Sequence, residues 1–154
     1  MILQELFLPC LYAFVASLAF AILFNIHGFG LVICGMGGAL GWLVYLLAAP
    51  YWNSPVIQSF FAALAISAYS EIMSRVRKCP VTGYLIIAFF PLVPGGGIYY
   101  TMRYCMAGNK EMFYAKAMET FGIAGALALG VLIVSSIFRL VISYRNQAKR
   151  SSRP

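Results

Sequence analysis

Charge is scarce in this chain, and so are the side chains that perform acid–base chemistry. Only 10% of its 154 residues are Asp, Glu, Lys or Arg, whereas about a quarter is usual for a water-soluble domain. With 62% hydrophobic residues and a mean hydropathy of +0.86, a soluble globular domain is excluded. The chain has four carboxylates and one histidine, which rules out an H-E-x-x-H zinc site and any second histidine-paired centre. No G-x-S-x-G occurs, and Gly95-Gly96-Gly97 lacks the following Lys-Ser/Thr of a phosphate loop. The cysteines Cys10, Cys34, Cys79 and Cys105 form no C-x-x-C pair and have no second ligand type clustered beside them. They read as packing residues, so no metal, disulfide or cofactor is expected, and nothing supports a membrane-embedded enzyme.

What the chain has instead is long apolar runs. Five stretches, 6–24, 31–49, 56–73, 81–102 and 121–142, carry little or no charge, and each is long enough to cross a bilayer as a helix. The expected fold is an all-α integral membrane protein with about five transmembrane helices, one membrane domain over 1–143 and a basic tail over 144–154. The first run reads as a span rather than a cleaved leader, because Met1-Ile2-Leu3-Gln4-Glu5 supplies no basic segment and no A-x-A site follows. Links 25–30 and 50–55 are short, uncharged and rich in Gly, Pro and Asn, as expected of tight turns between antiparallel neighbours. Gly37-x-x-x-Gly41 in the second span, and Gly122, Ala126 and Gly130 in the fifth, have the spacing that lets helix backbones approach closely. Tight packing is favoured for both sets over contact with a ligand.

A net charge of +7 is compatible with nucleic-acid binding in principle, but the basic residues flank the spans. Arg75, Arg77 and Lys78 follow the third, while Arg139, Arg145, Lys149, Arg150 and Arg153 end the fifth. Such clusters are topology signals, so the partner is the lipid bilayer rather than nucleic acid. Placing both clusters in the cytoplasm puts the N-terminus outside, the C-terminus inside and the 103–120 loop outside. The basic tail is also suited to anionic headgroups.

The most informative string is Pro91-Leu92-Val93-Pro94-Gly95-Gly96-Gly97, which interrupts the fourth span. Residues 81–90 as a helix climb roughly 15 Å, about half the hydrocarbon thickness, so the expected break falls near the midplane. Non-helical backbone at that depth survives only if buried in protein or lining a polar cavity, and broken helices are where secondary transporters hold their substrates. Pro91 and Pro94 remove two backbone donors, and Gly95, Gly96 and Gly97 permit conformations closed to other residues. The amides that start the second half-helix suit a carboxylate, and Tyr99, Tyr100 and Thr101 add hydroxyls and ring faces. The alternative is a kink filled by neighbouring helices. After 97–107, Gly108-Asn109 is expected to stop the half-helix, and Asn109 to cap a new one from Lys110. That segment, 110–120, is either interfacial or the wet first turns of the last span.

Three further polar residues stand out. Glu71 is the only carboxylate inside a predicted span, hence a candidate for proton coupling or gating, although Arg75 at i+4 makes an anchoring ion pair equally apt. Asn25 ends the first span, where it can cap the helix or meet a ligand. His27 sits in the adjoining turn, an interfacial residue by default and a proton relay at most.

Taken together, Phe20-Ala21-Ile22-Leu23-Phe24-Asn25, Gly38-Ala39-Leu40-Gly41-Trp42, Glu71-x-x-x-Arg75 leading to Pro80, and above all the 91–97 string with Ile98-Tyr99-Tyr100 resemble the threonine/serine exporter family. The likeness runs from about Phe20 to Gly130. It is to the short stand-alone form that corresponds to the C-terminal membrane half, and is similar to the small subunit of a bacterial succinate exporter. The resemblance implies an efflux carrier of a prokaryotic cytoplasmic membrane, exporting threonine, serine or a dicarboxylate and driven by the proton gradient. It also implies a larger membrane subunit of the same family as partner, with a homo-oligomer as the other arrangement. If that partner also has five spans, the two halves lie in opposite orientations. An accessory subunit that only stabilises the partner is the alternative function.

Overall fold

The computed structural model describes the backbone of residues 2–151 and the side chains of 6–144, and among these residues it contains helices and no strand. The helices are α1 (Ile2–Leu23), α2 (Phe29–Ala48), α3 (Pro55–Arg77), α4 (Val81–Phe89), α5 (Gly95–Met106) and α6 (Lys110–Ser151), with a 3-10 turn at Phe90–Leu92 between α4 and α5. Four helices, α1, α2, α3 and α6, are long and apolar enough to cross a membrane, and α4 with its 3-10 turn forms with α5 a pair bent by 50° that gives a fifth candidate crossing when counted as one span. Of the expected tail, residues 152–154 lie outside the described residues, and α6 runs without interruption to Ser151.

The links end the helices by one recurring device. At Asn25, Lys78 and Gly108 the backbone enters the left-handed region, with φ of 59°, 54° and 70°. In each case the next amide reaches back five residues, as Ile26 N–H does to the Ala21 carbonyl at 2.9 Å, which satisfies carbonyls the helix end leaves open. The predicted cap is present: Asn109 Oδ1 accepts the Met112 amide at 3.2 Å. The expected loop at 103–120 is reduced to a turn at 107–109, because α6 starts at Lys110 and passes directly into the last span. Of the two placements open for 110–120, continuity with the span is the one found.

Glycine decides which helices touch. Helix α2 packs against α1, α3 and α4. A Cβ on Gly38 would collide with Ser17 of α1, one on Gly37 with Ala88, and one on Gly41 with Ile66 and Leu92. The α2 glycines therefore serve packing. The same holds for α6, where Gly122 abuts Val56 and Gly130 abuts the Ala63 side chain and backbone. Ala62, Ala63, Ile66, Ala88, Leu92 and Leu127 form a core cluster at this crossing, with Trp42 and Tyr45 against it. Much of the remaining apolar surface faces outward, including Leu129, Leu132, Ile137 and Leu140 of α6, as lipid requires. Gly130→Leu forces α3 and α6 apart against backbone, with an expected cost of about 1–3 kcal/mol. A lowered melting temperature in detergent is the expected result, and unchanged melting contradicts this contact.

Gly122, Gly130 and Phe138 of α6 meet Val56, Ala63 and Arg75 of α3 in that order, so the two helices run parallel. Since Val56 is the second residue of α3, residues 110–121 extend about 18 Å past its start. Gly97 abuts Thr120, which puts the start of α5 at that same end. The break thus begins at mid-bundle, where Leu92 meets Gly41, and α5 then leaves the bundle along the first third of α6.

Candidate functional site

The chain breaks after Phe89 because two carbonyls lose their helical donors. Pro91 has no N–H for Ile87, whose carbonyl accepts from Phe90 instead, and Pro94 has none for Phe90, whose carbonyl accepts Val93 N–H at 3.3 Å. Val93 is extended (φ −60°, ψ 128°), as a residue before proline tends to be. Pro94 (φ −76°, ψ 55°) forms a tight turn closed by Gly95 N–H on the Val93 carbonyl at 2.7 Å.

The non-helical part is narrower than the sequence suggests. Only Val93 and Pro94 lie outside helical turns, and Gly95, Gly96 and Gly97 form the first turn of α5 with no positive φ. Their conformational freedom goes unused, because the two prolines alone interrupt the ladder. Ile98 N–H bonds the Pro94 carbonyl at 3.1 Å, while the Gly96 and Gly97 amides stand in the first turn, where α5 itself supplies no acceptor. The break is thus followed by a helix N-terminus whose first amides have no acceptor in their own helix.

The three glycines differ in their surroundings. Nothing lies within 4 Å of a Cβ added to Gly95 or Gly96, whereas one on Gly97 would strike Thr120. Tyr99 and Tyr100 are exposed and pack edge to face, with ring centroids 5.4 Å apart. The Thr101 hydroxyl bonds the Gly97 carbonyl of its own helix at 2.8 Å. On the opposite side of the break, Phe90 stacks on Phe20 of α1 at 4.0 Å and lies 5.9 Å from Phe24, which ties the 3-10 turn to α1.

Glu71 and Asn25 belong to other parts of the molecule. Glu71 is 8% exposed and accepts from Arg75 Nη2 at 2.7 Å, the i+4 pair predicted. Arg75 also donates Nε to the Glu71 carbonyl at 3.1 Å, and its guanidinium lies 5.0 Å from the centroid of the Phe138 ring. Asn25 is exposed at the α1–α2 turn, where its left-handed backbone ends the helix and its carbonyl bonds His27 Nδ1 at 2.9 Å. The break, the ion pair and the turn are therefore three separate places rather than one constellation.

Sequence reading passed over a set of buried polar groups. Ser67, Ser70, Glu71 and Ser74 share the face of α3 that carries Ala63 toward α6, and the Ser67 and Ser70 hydroxyls are fully buried without a hydrogen-bond partner. Trp42 Nε1, beside the break, is buried and unpartnered as well. The serine spacing was a signal in the chain. The indole had none, since only packing buries it.

A family model described as "Threonine/Serine exporter, ThrE" matches residues 9–137. The chain belongs to the threonine/serine exporter family. No curated protein and no solved structure matches it. The segment shared with this exporter family includes the α1–α2 turn with Asn25 and α2 to α5 entire, hence the break, Glu71 and Arg75, and it stops short of the basic end of α6. As a member of the family with five apolar crossings, counting the bent pair as one, the chain is a multi-pass membrane protein of exporter type.

Proposed function

We propose that this chain is a subunit of a secondary transporter that exports a small carboxylate-bearing metabolite, namely threonine, serine or a dicarboxylate such as succinate. The observation that carries the reading is a helix N-terminus, with the Gly96 and Gly97 amides in its first turn, directly after a proline-made break in a member of an exporter family. A helix N-terminus, with first-turn N–H groups that its own helix does not use, favours an anion. Pro91, Pro94, Gly95, Gly96, Gly97, Tyr99, Tyr100 and Thr101 border the route, with Asn25 at its far end.

Coupling is to the proton gradient, with Glu71 as the proton-binding group and Arg75 as its counter-ion. The protein resides in a prokaryotic cytoplasmic membrane with its N-terminus outside and its basic C-terminal end in the cytoplasm. A larger membrane subunit of the same family completes the pathway. Helix α5 buries none of its residues, as expected of an element that awaits a neighbour. That same bareness favours the second reading, in which the bundle is only a scaffold for the partner.

Counterflow in liposomes with labelled threonine, serine and succinate, with and without the larger subunit, tests the proposal. Exchange of at least one solute is expected. Absence of exchange in both preparations, with intact protein, refutes the transport reading and leaves the scaffold.

A further inference from the structure

The turn at 107–109 folds α5 back along α6, and a cavity opens on each side of this antiparallel pair. One, about 420 Å³, is bounded by Val93, Pro94, Ile98, Met102, Phe121 and neighbouring residues. Its hydroxyls, Thr101 and Thr120, both donate to carbonyls of their own helices, at 2.8 Å to Gly97 and 2.7 Å to Lys116. No charged group borders it, so that side suits acyl chains or an apolar helix. The other, about 370 Å³, is bounded by Tyr100, Tyr104, Met112, Ala115, Lys116 and Glu119. Its volume falls within the usual range for small-molecule sites, about 300–1,000 Å³.

This second cleft holds one cation, one anion and two phenol rings. Tyr100 and Tyr104 stack along α5 with ring centroids 6.4 Å apart, and Glu119 stands immediately ahead of Thr120, the residue that abuts Gly97. The cleft therefore begins at the level of the α5 N-terminus. Lys116 Nζ donates to Glu119 Oε2 at 2.7 Å, but the two side chains are 33% and 36% exposed, so solvent screens the pair and a ligand separates it at little cost. An ammonium has three protons and a carboxylate two oxygens, so one bond between them leaves two donors and Oε1 for an occupant. The pair is also neutral as a whole. A solute of one sign is attracted by one partner and repelled by the other, whereas a zwitterion meets an opposite charge at both ends. The tyrosine ring faces favour an ammonium further.

We propose that this cleft is a subsite for an α-amino acid in its zwitterionic form, with the solute carboxylate on Lys116 and the solute ammonium on Glu119. The inference rests on the transport reading and narrows it, because Glu119 repels the second carboxylate of a solute such as succinate. In that reading the first third of α6 lies outside, so the cleft is a stop on the exit side of the break.

Both walls come from this chain, so the detergent-solubilised chain is the sample. Radiolabelled threonine is expected to bind saturably in a scintillation proximity assay. Threoninol, which lacks the carboxylate, and β-hydroxybutyrate, which lacks the ammonium, are each expected to compete about tenfold less well than threonine, the loss of one charge-assisted hydrogen bond. Glu119→Gln is expected to weaken threonine about tenfold and leave β-hydroxybutyrate unchanged, and Lys116→Gln to weaken threonine by a similar factor and leave threoninol unchanged. A pair that only braces α6 would shift the melting temperature and affect all three ligands alike. That uniform pattern, a lack of saturable threonine binding, or competition by succinate equal to that of threonine overturns the subsite. Counterflow by the unsubstituted chain alongside any of those results leaves the transport reading standing, whereas the charge-matched pattern without counterflow keeps the subsite and strikes the transport reading.

Discussion

Glu71→Gln is expected to reduce gradient-driven export to background while counterflow exchange and protein level stay near normal. The carboxylate lies in the face of α3 that carries Ser67, Ser70 and Ser74, and Arg75 is its hydrogen-bond partner among the described residues. Glutamine has almost the same shape and its amide oxygen can still accept from Arg75, so the helix end keeps its geometry. What it loses is the ability to take up and release a proton. Exchange of solute for solute needs no proton, but uphill export does. The Arg75 side chain is 41% exposed and rests on Phe138, so water can hydrate it once the carboxylate charge is gone, at a cost of about 1 kcal/mol or less. The reverse change, Arg75→Gln, leaves a buried carboxylate without its cation, which costs about 3–5 kcal/mol, and a drop in folded protein is expected there. Export driven by a pH gradient in liposomes at matched protein levels decides the matter. Normal uphill export by Glu71→Gln removes this residue from the coupling mechanism.

The second large effect is a contrast among three consecutive glycines. Gly95→Leu and Gly96→Leu are expected to abolish export with the protein, and its complex with a larger subunit, still assembled. Gly97→Leu is expected to lose folded protein as well. In the first two the added side chain enters open space, and the backbone is already helical, so folding is undisturbed. The bulk instead covers the helix N-terminus formed by the Gly96 and Gly97 amides. At Gly97 the side chain meets Thr120, the contact that seats α5 on α6, and overpacking there costs about 1–3 kcal/mol. Export assays paired with size-exclusion profiles in detergent separate the two classes. Full export by Gly95→Leu and Gly96→Leu argues for the scaffold reading, and loss of assembly in those variants argues for a packing role.

The long apolar helices were legible because lipid leaves the backbone few solutions, and runs of about 20 apolar residues declare themselves without knowledge of neighbours. The break was legible for a similar reason, since Pro91 and Pro94 remove donors whatever surrounds them. Its extent was not. Gly95, Gly96 and Gly97 tolerate both helical and non-helical backbone, so their state follows from α5 settling on α6, a contact absent from local sequence. The Glu71–Arg75 pair was foreseeable from i+4 spacing. That Gly37 and Gly41 receive Ala88, Ile66 and Leu92 was foreseeable only as close packing of some kind.

What the amino-acid order determined by itself is therefore everything set by local chemistry: which segments are helices suited to lipid, where the prolines interrupt one, how Asn109 caps α6, and which carboxylate lies inside a span. Only the tertiary structure decided that α5 leaves the bundle along α6, that Gly95 and Gly96 stand open while Gly97 is filled, and that Trp42 is buried without an acceptor next to Pro91. The division has one physical cause. A helix and its breaks depend on hydrogen bonds three to five residues apart, whereas burial and free space depend on which distant helices meet.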